Sequence, residues 1–129
     1  TVPNKPMFRA PFKKRRCIIP ATGLYEWKKD VQNEKTTKIK HWISINNQLF
    51  YMAGLYWFFH DKKDESILYP AFTILTTDAN KKMQTIHNRM PVIISEKNIE
   101  KWLFSENMID VLPLLTPPDD EETYIQEIA

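Results

Sequence analysis

Two stretches of this sequence carry side chains that could move protons or hold an anion. In Thr22-Gly23-Leu24-Tyr25-Glu26-Trp27 a glutamate sits between two aromatic residues. Desolvation makes a carboxyl group hold its proton more tightly, which suits general acid–base work. The alternative is an ordinary outward-facing strand glutamate. In Ile86-His87-Asn88-Arg89-Met90-Pro91 an imidazole stands close to a guanidinium. Histidine exchanges protons near neutral pH, and arginine grips phosphate or carboxylate through two parallel hydrogen bonds. The alternative there is structural, with His87 and Asn88 ending a helix and Arg89 pairing with a surface acid.

Other candidates are weaker. Cys17 lies in the apolar run Cys17-Ile18-Ile19-Pro20, where a thiol is ordinarily a small inert core residue. A single cysteine excludes an internal disulfide and a cysteine zinc site. His41 and His60 have no partners at ligand spacing, so neither a metal nor a cofactor is expected. With Gly23 and Gly54 as the only glycines, phosphate-cradling glycine loops are excluded. Arg9, Lys13, Lys14, Arg15 and Arg16 form a basic cluster before an apolar strand. It reads either as a phosphate-contacting edge or as a solvated loop.

The elements that must position these groups follow from periodicity. Thr1 to Pro11, with three prolines, reads as irregular and extended. Cys17–Pro20 and Leu24–Lys28 are expected strands, the second with Tyr25 and Trp27 on one face and Leu24, Glu26 and Lys28 on the other. Lys29–Lys35 reads as a loop. Ile39, His41, Ile43 and Ile45 alternate on one face, and Asn46-Asn47 predicts a hairpin from Lys38–Ile45 into Leu49–Trp57. His60–Ser66 reads as a charged loop and Ala71–Thr77 as a strand. Asp78 is placed to cap a helix over Ala79–Ile86, and Ser95 one over Glu96–Phe104. Pro91–Ile94 is a short strand between them, and Met108–Leu115 a short helical piece before Pro117-Pro118. The order predicts one α+β domain over residues 1–129, with a curved, mainly antiparallel, barrel-like sheet and a few short helices.

The chain has 129 residues, 43% of them hydrophobic, enough for one core. Its longest apolar stretch, Leu49–Phe59, is too short to span a bilayer, so no membrane partner is expected. No charged-then-apolar leader opens it, and one cysteine makes a reducing cytoplasm the default. The Lys-, Asn- and Ile-rich composition hints at a bacterial source.

The two stretches together are more specific than either alone. Arg16 to Trp27 resembles the first signature of the SRAP (SOS response-associated peptidase) family: a basic residue, an apolar strand, then glycine and Tyr-Glu-Trp. Thr76-Thr77-Asp78-Ala79-Asn80, Met83, and Ile86 to Pro91 resemble the second, in the right order. Pro6-Met7-Phe8-Arg9 and Trp102-Leu103 also fit, so the resemblance covers almost the whole chain. It implies a DNA-damage protein that senses abasic sites in single-stranded DNA and works as a nucleoid-associated monomer. By the resemblance, the initiator methionine is removed by self-processing. The exposed N-terminal cysteine then bonds to the aldehyde of the lesion, first as a Schiff base and finally as a thiazolidine. The resemblance makes Glu26 and His87 the catalytic residues and Arg89, Arg9 and Arg16 the DNA contacts.

The family's Met-Cys-Gly-Arg start, its Asn-Ala-Arg-x-Glu block and its downstream Val-Ser and Val-Asn segment do not occur in this sequence. The expectation is therefore an incomplete domain that cannot crosslink by itself. A literal peptidase acting on other proteins finds no Ser-His-Asp or Cys-His arrangement here. The alternative from another class is a non-catalytic single-stranded DNA-binding module. In it Trp42, Tyr56, Trp57 and Phe58 would stack on bases, although their spacing also fits core residues.

Overall fold

The computed structural model describes residues 6–128. Strand β1 (Arg16–Ala21) lies antiparallel to β4 (Phe50–His60), whose other edge pairs with β5 (Leu68–Ile74) and with the short β8 (Ile93–Ile94). A second sheet has the order β2 (Leu24–Gln32), β3 (Lys35–Ile45), β9 (Thr123–Glu127), again antiparallel. A two-stranded ribbon, β6 (Thr76–Asp78) with β7 (Arg89–Pro91), completes the strands. Helices α1 (Pro6–Lys14), α2 (Ile99–Phe104) and α3 (Met108–Val111) are short. The α+β, mainly antiparallel expectation holds, but among the described residues the sheets stay open and no barrel closes.

One core lies where α1, α2 and α3 cover the first sheet, built from Phe12, Ala53, Leu55, Leu75, Val92, Trp102 and Val111. Trp102 is wholly buried, meets Phe12 edge to face at 6.1 Å, and donates its indole N–H to the Cys17 carbonyl at 2.8 Å. Arg16, 7% exposed, donates to the carbonyls of Phe12 (2.8 Å), Lys13 (3.1 Å), Trp102 and Ser105. Its guanidinium thus caps the last carbonyls of α1 and ties that helix to the end of α2.

Five local expectations are corrected. Residues 6–11 are helical: Pro6 opens the helix, where its missing N–H is no loss, Pro11 lies inside it at the cost of one backbone bond, and Arg16 satisfies the carbonyls at the other end. The rest of the expected extended segment lies outside the described residues. The Lys29–Lys35 loop is instead the tip of a hairpin, with β2 and β3 paired as far as Gln32 and Lys35. Asn33 and Glu34, at φ 52° and 66°, make its two-residue turn.

The hairpin expected at Asn46-Asn47 is absent, although the turn itself forms with both residues at positive φ. β2 already occupies that edge of β3 as far as Ile43, while on the opposite edge, held by β9, the Glu122 carbonyl takes the Asn46 amide at 2.8 Å. β4 therefore leaves for the other sheet, with only the bridge between Ile45 and Gln48 behind it. Over Ala79–Ile86 there is a single 3-10 turn, Met83–Thr85, because Asp78 is held in β6 by Arg89. In the helix expected over Glu96–Phe104, the first residues Glu96–Asn98 are likewise 3-10.

Truncating Trp102 to alanine should lower unfolding stability by about 3–5 kcal/mol. Urea unfolding followed by far-UV circular dichroism measures this.

Candidate active site

The glutamate motif begins with a close approach. A Cβ on Gly23 would lie 2.0 Å from the Trp42 ring, so only glycine lets that indole cover the start of β2. Beyond it the strand alternates as expected: Tyr25 (49% exposed) and Trp27 (43%) point outward, while Leu24 and Glu26 are half-buried on the inner face. Outside, Tyr25 lies 5.0 Å from Trp42, and the Lys40 ammonium sits 4.1 Å over the Tyr25 ring. Inside, the Glu26 carboxylate accepts the amide of Trp27 at 3.2 Å.

The histidine motif is seated on that inner face. Leu24, Ile43 and Ile125 form one cross-strand row and pack with Ala79, Met83, Ile86 and Met90. The next row along the same face is Glu26, His41 and Glu127. Leu24 and Ile86 pack on the same cluster, so Glu26 and His87 each stand a short step beyond it. His87 is exposed, and its Nδ1 accepts the amide of Arg89 at 3.2 Å. An Nδ1 that accepts is unprotonated, so neutral His87 carries its proton on Nε2.

Arg89 donates to Asp78 at 2.8 Å and to the carbonyl and hydroxyl of Thr76 at 2.9 and 3.2 Å, yet its side chain stays 43% exposed. The ion pair spans the β6–β7 ribbon, where Asp78 and Arg89 lie directly opposite. It aims the guanidinium and leaves an open face.

The five site residues predicted from sequence fall in different places. Glu26 lies on the inner face of the second sheet, the segment that ends in His87 packs on that face through Met83 and Ile86, and Arg89 follows on the ribbon. Arg9 is exposed on α1 with Lys13 and Lys14, and Arg15 is exposed just after the helix. Arg16 corrects its expectation: a buried guanidinium bonded to four carbonyls is scaffold and has no free fork for a phosphate. Of the aromatic residues considered for stacking, Trp42, Tyr56 and Trp57 are half-buried and Phe58 is 55% exposed. Among the described residues no group of three or more His, Cys, Asp or Glu is placed to hold a metal.

Asn80 carries a function that sequence reasoning left unassigned. Its side-chain amide donates to the Pro118 carbonyl and to Thr123 Oγ1, both at 2.9 Å, and its carbonyl oxygen accepts the Met83 amide at 2.8 Å. It ties the His87 segment to β9, where Thr123 is fully buried. Its spacing of three residues before Met83 is an asparagine-turn signal that could have been read.

The comparisons with known proteins bear on the same two motifs. The profile described as SOS response associated peptidase (SRAP) matches residues 1–129. The chain belongs to the SRAP family. Among relatives of this SRAP chain, the abasic site processing protein YoqW of Bacillus subtilis is 41% identical over 131 residues, covering 96% of the chain and 55% of the relative. The abasic site processing protein HMCES of Xenopus tropicalis is 32% identical, covering 91% and 40%. A crystal structure of a protein from Bacteroides thetaiotaomicron superposes with a TM-score of 0.89 at 36% identity, covering all of this chain and 56% of that one. The SRAP chain thus spans about half the length of the curated relatives it matches.

Burial pushes the Cys17 thiol up from its ordinary range. A raised value means that the fold favours the neutral thiol. The associated stability is present at neutral pH and is lost as pH rises through the folded-state value. Cys17 should therefore react with iodoacetamide more slowly in the folded protein than in urea at pH about 8, where an ordinary thiol is partly ionised. Asn80→Ala should lower stability by about 1–3 kcal/mol, because Thr123 and the Met83 amide lose their partner. Thermal unfolding checks the second, and timed alkylation with mass readout the first.

Proposed function

We propose that this domain carries the proton-transfer and DNA-contact groups of an abasic-site reaction, acting on single-stranded DNA with the family's N-terminal cysteine as nucleophile. The observation that carries the reading is the seating of the Glu26 and His87 motifs on one cluster of one sheet face, with Arg89 exposed two residues beyond His87. Relatives named abasic site processing proteins share most of this chain.

The chemistry needs a base and an acid. The α-amine attacks the lesion's aldehyde carbon only after losing a proton, which Glu26 takes as carboxylate. The resulting carbinolamine loses its hydroxyl as water when a proton is delivered; His87 supplies it from Nε2 as imidazolium, the Arg89 amide giving up Nδ1 when that nitrogen takes its proton. The cysteine sulfur then adds to the imine carbon, its proton going to the imine nitrogen. That closes a five-membered thiazolidine, so a reversible imine becomes a lasting bond. Arg89 and the exposed Arg9 hold flanking phosphates. The same acid and base serve self-removal of an initiator methionine, in which water cleaves one peptide bond.

A second reading rests on the outer face, where Tyr25, Trp27 and Trp42 with Lys40 form a cationic aromatic surface. Such a surface would bind single strands without chemistry.

The two readings are separated on a denaturing gel, using the full-length protein that contains residues 1–129 and a single-stranded oligonucleotide with one abasic site. The expected result is a heat-stable shifted band with the abasic strand only. Glu26→Gln or His87→Ala should each slow its formation by about a hundredfold or more. Arg89→Ala should weaken it most at high salt. Cys17→Ser should change nothing. Equal, salt-labile retention of intact and abasic strands would establish the binding module instead.

A further inference from the structure

His41 stands in the middle of the inner-face row, directly opposite Glu26 on one side and Glu127 on the other. Directly opposed residues of an antiparallel pair share a face, with Cβ atoms about 4.5–5.5 Å apart. The side chain is 7% exposed, which is unusual for a histidine in a row that otherwise carries carboxylates. Its Nδ1 lies 2.9 Å from the Ile39 carbonyl. A carbonyl only accepts, so Nδ1 carries the proton and the lone pair of neutral His41 is at Nε2. Nδ1 is taken up by that carbonyl, so Nε2 is the ring nitrogen free to accept a proton.

The two imidazoles near this face are therefore complementary. His87 accepts at Nδ1 and offers a proton at Nε2, whereas His41 donates at Nδ1 and offers a lone pair at Nε2. We propose that His41 is the positioning residue and proton acceptor behind Glu26, resetting the carboxylate after it has taken a proton from the reacting amine. The inference rests on the abasic-site reading of Glu26. In the step, protonated Glu26 gives its proton through water to His41 Nε2 and becomes carboxylate again. The imidazolium so formed faces Glu127 and passes the proton to solvent.

The charged groups around this row are few. Glu26, Lys28 and Asp30 share the face on β2, Glu127 lies on β9, and the packed segment contributes His87. Arg89 is held by Asp78, and Lys82 lies over the Tyr124 ring on the outer face. Glu26 and Glu127 are thus the acids nearest to His41 in register.

The test uses the full-length protein and two variants. His41→Asn keeps a donor for the Ile39 carbonyl and removes the basic nitrogen, while His41→Phe removes both. The expected result is that H41N melts like the parent but forms the abasic adduct about tenfold more slowly, a fraction of what a general base contributes. Its rate–pH profile should lose the acid limb, and added imidazole should restore part of the rate. H41N with the parent's rate and profile would overturn the proposal. So would a loss in H41N matched by a fall in melting temperature and not recovered by imidazole. Nitrogen-15 spectra give a readout that needs no adduct: the pH response of the His41 ring should change in Glu26→Gln and in Glu127→Gln. If it changes while the parent forms no adduct, the coupling stands and the abasic-site reading falls. If it does not change, His41 is not coupled to Glu26.

Discussion

The seating of one irregular segment on one sheet face is the constraint on which the candidate site depends. Residues 79–87 contain a single helical turn and cannot hold themselves in shape. They are fixed instead by burial of Met83, 1% exposed, against Ile43 and Met90, and by the three hydrogen bonds of Asn80. Apolar burial supplies the driving force and the asparagine supplies direction, because only one placement satisfies all three partners. The segment then leaves the sheet with His87 at its exit.

A separate anchor holds the other half of the chain. Arg16 fills its fork with four carbonyls from two helices and lies 5.6 Å over the Trp102 ring. Taking a guanidinium out of water is tolerable only when its nitrogens find acceptors, and here backbone carbonyls take a hydrogen bond from each of the three. The same contacts that exclude Arg16 from binding an anion give α1 a defined end. That helix displays Arg9, Lys13 and Lys14 on the surface.

The two sheets divide the work. β4, the most buried strand, pairs with three others and provides the platform under the helices. The β2–β3–β9 sheet has one apolar row under the irregular segment, one carboxylate–imidazole row beside it, and an outer face of aromatic rings with lysines above them. The period of two along each strand sets this sidedness, so Glu26 is kept inside by the same alternation that puts Tyr25 and Trp27 outside.

From the sequence alone came the period-two alternation of Leu24–Lys28 and of Ile39–Ile45, the antiparallel α+β class, the inert setting of Cys17, and the two motifs with Glu26 and His87. These are local: each depends on spacing within one element or on the chemistry of one short stretch. Tertiary structure decided what no spacing encodes. It sent β4 to a different sheet from β3, because β2 took the edge of β3 that a hairpin would have used. It turned the expected helix at Ala79 into a tethered loop, because Asp78 found Arg89 across a ribbon and was lost as a cap. It buried Arg16 among carbonyls of helices that meet only in the folded chain, and it set His41 between two acids on neighbouring strands. In each case the deciding partner lies outside the residue's own element in the sequence, and long-range pairing is the information that local periodicity cannot hold.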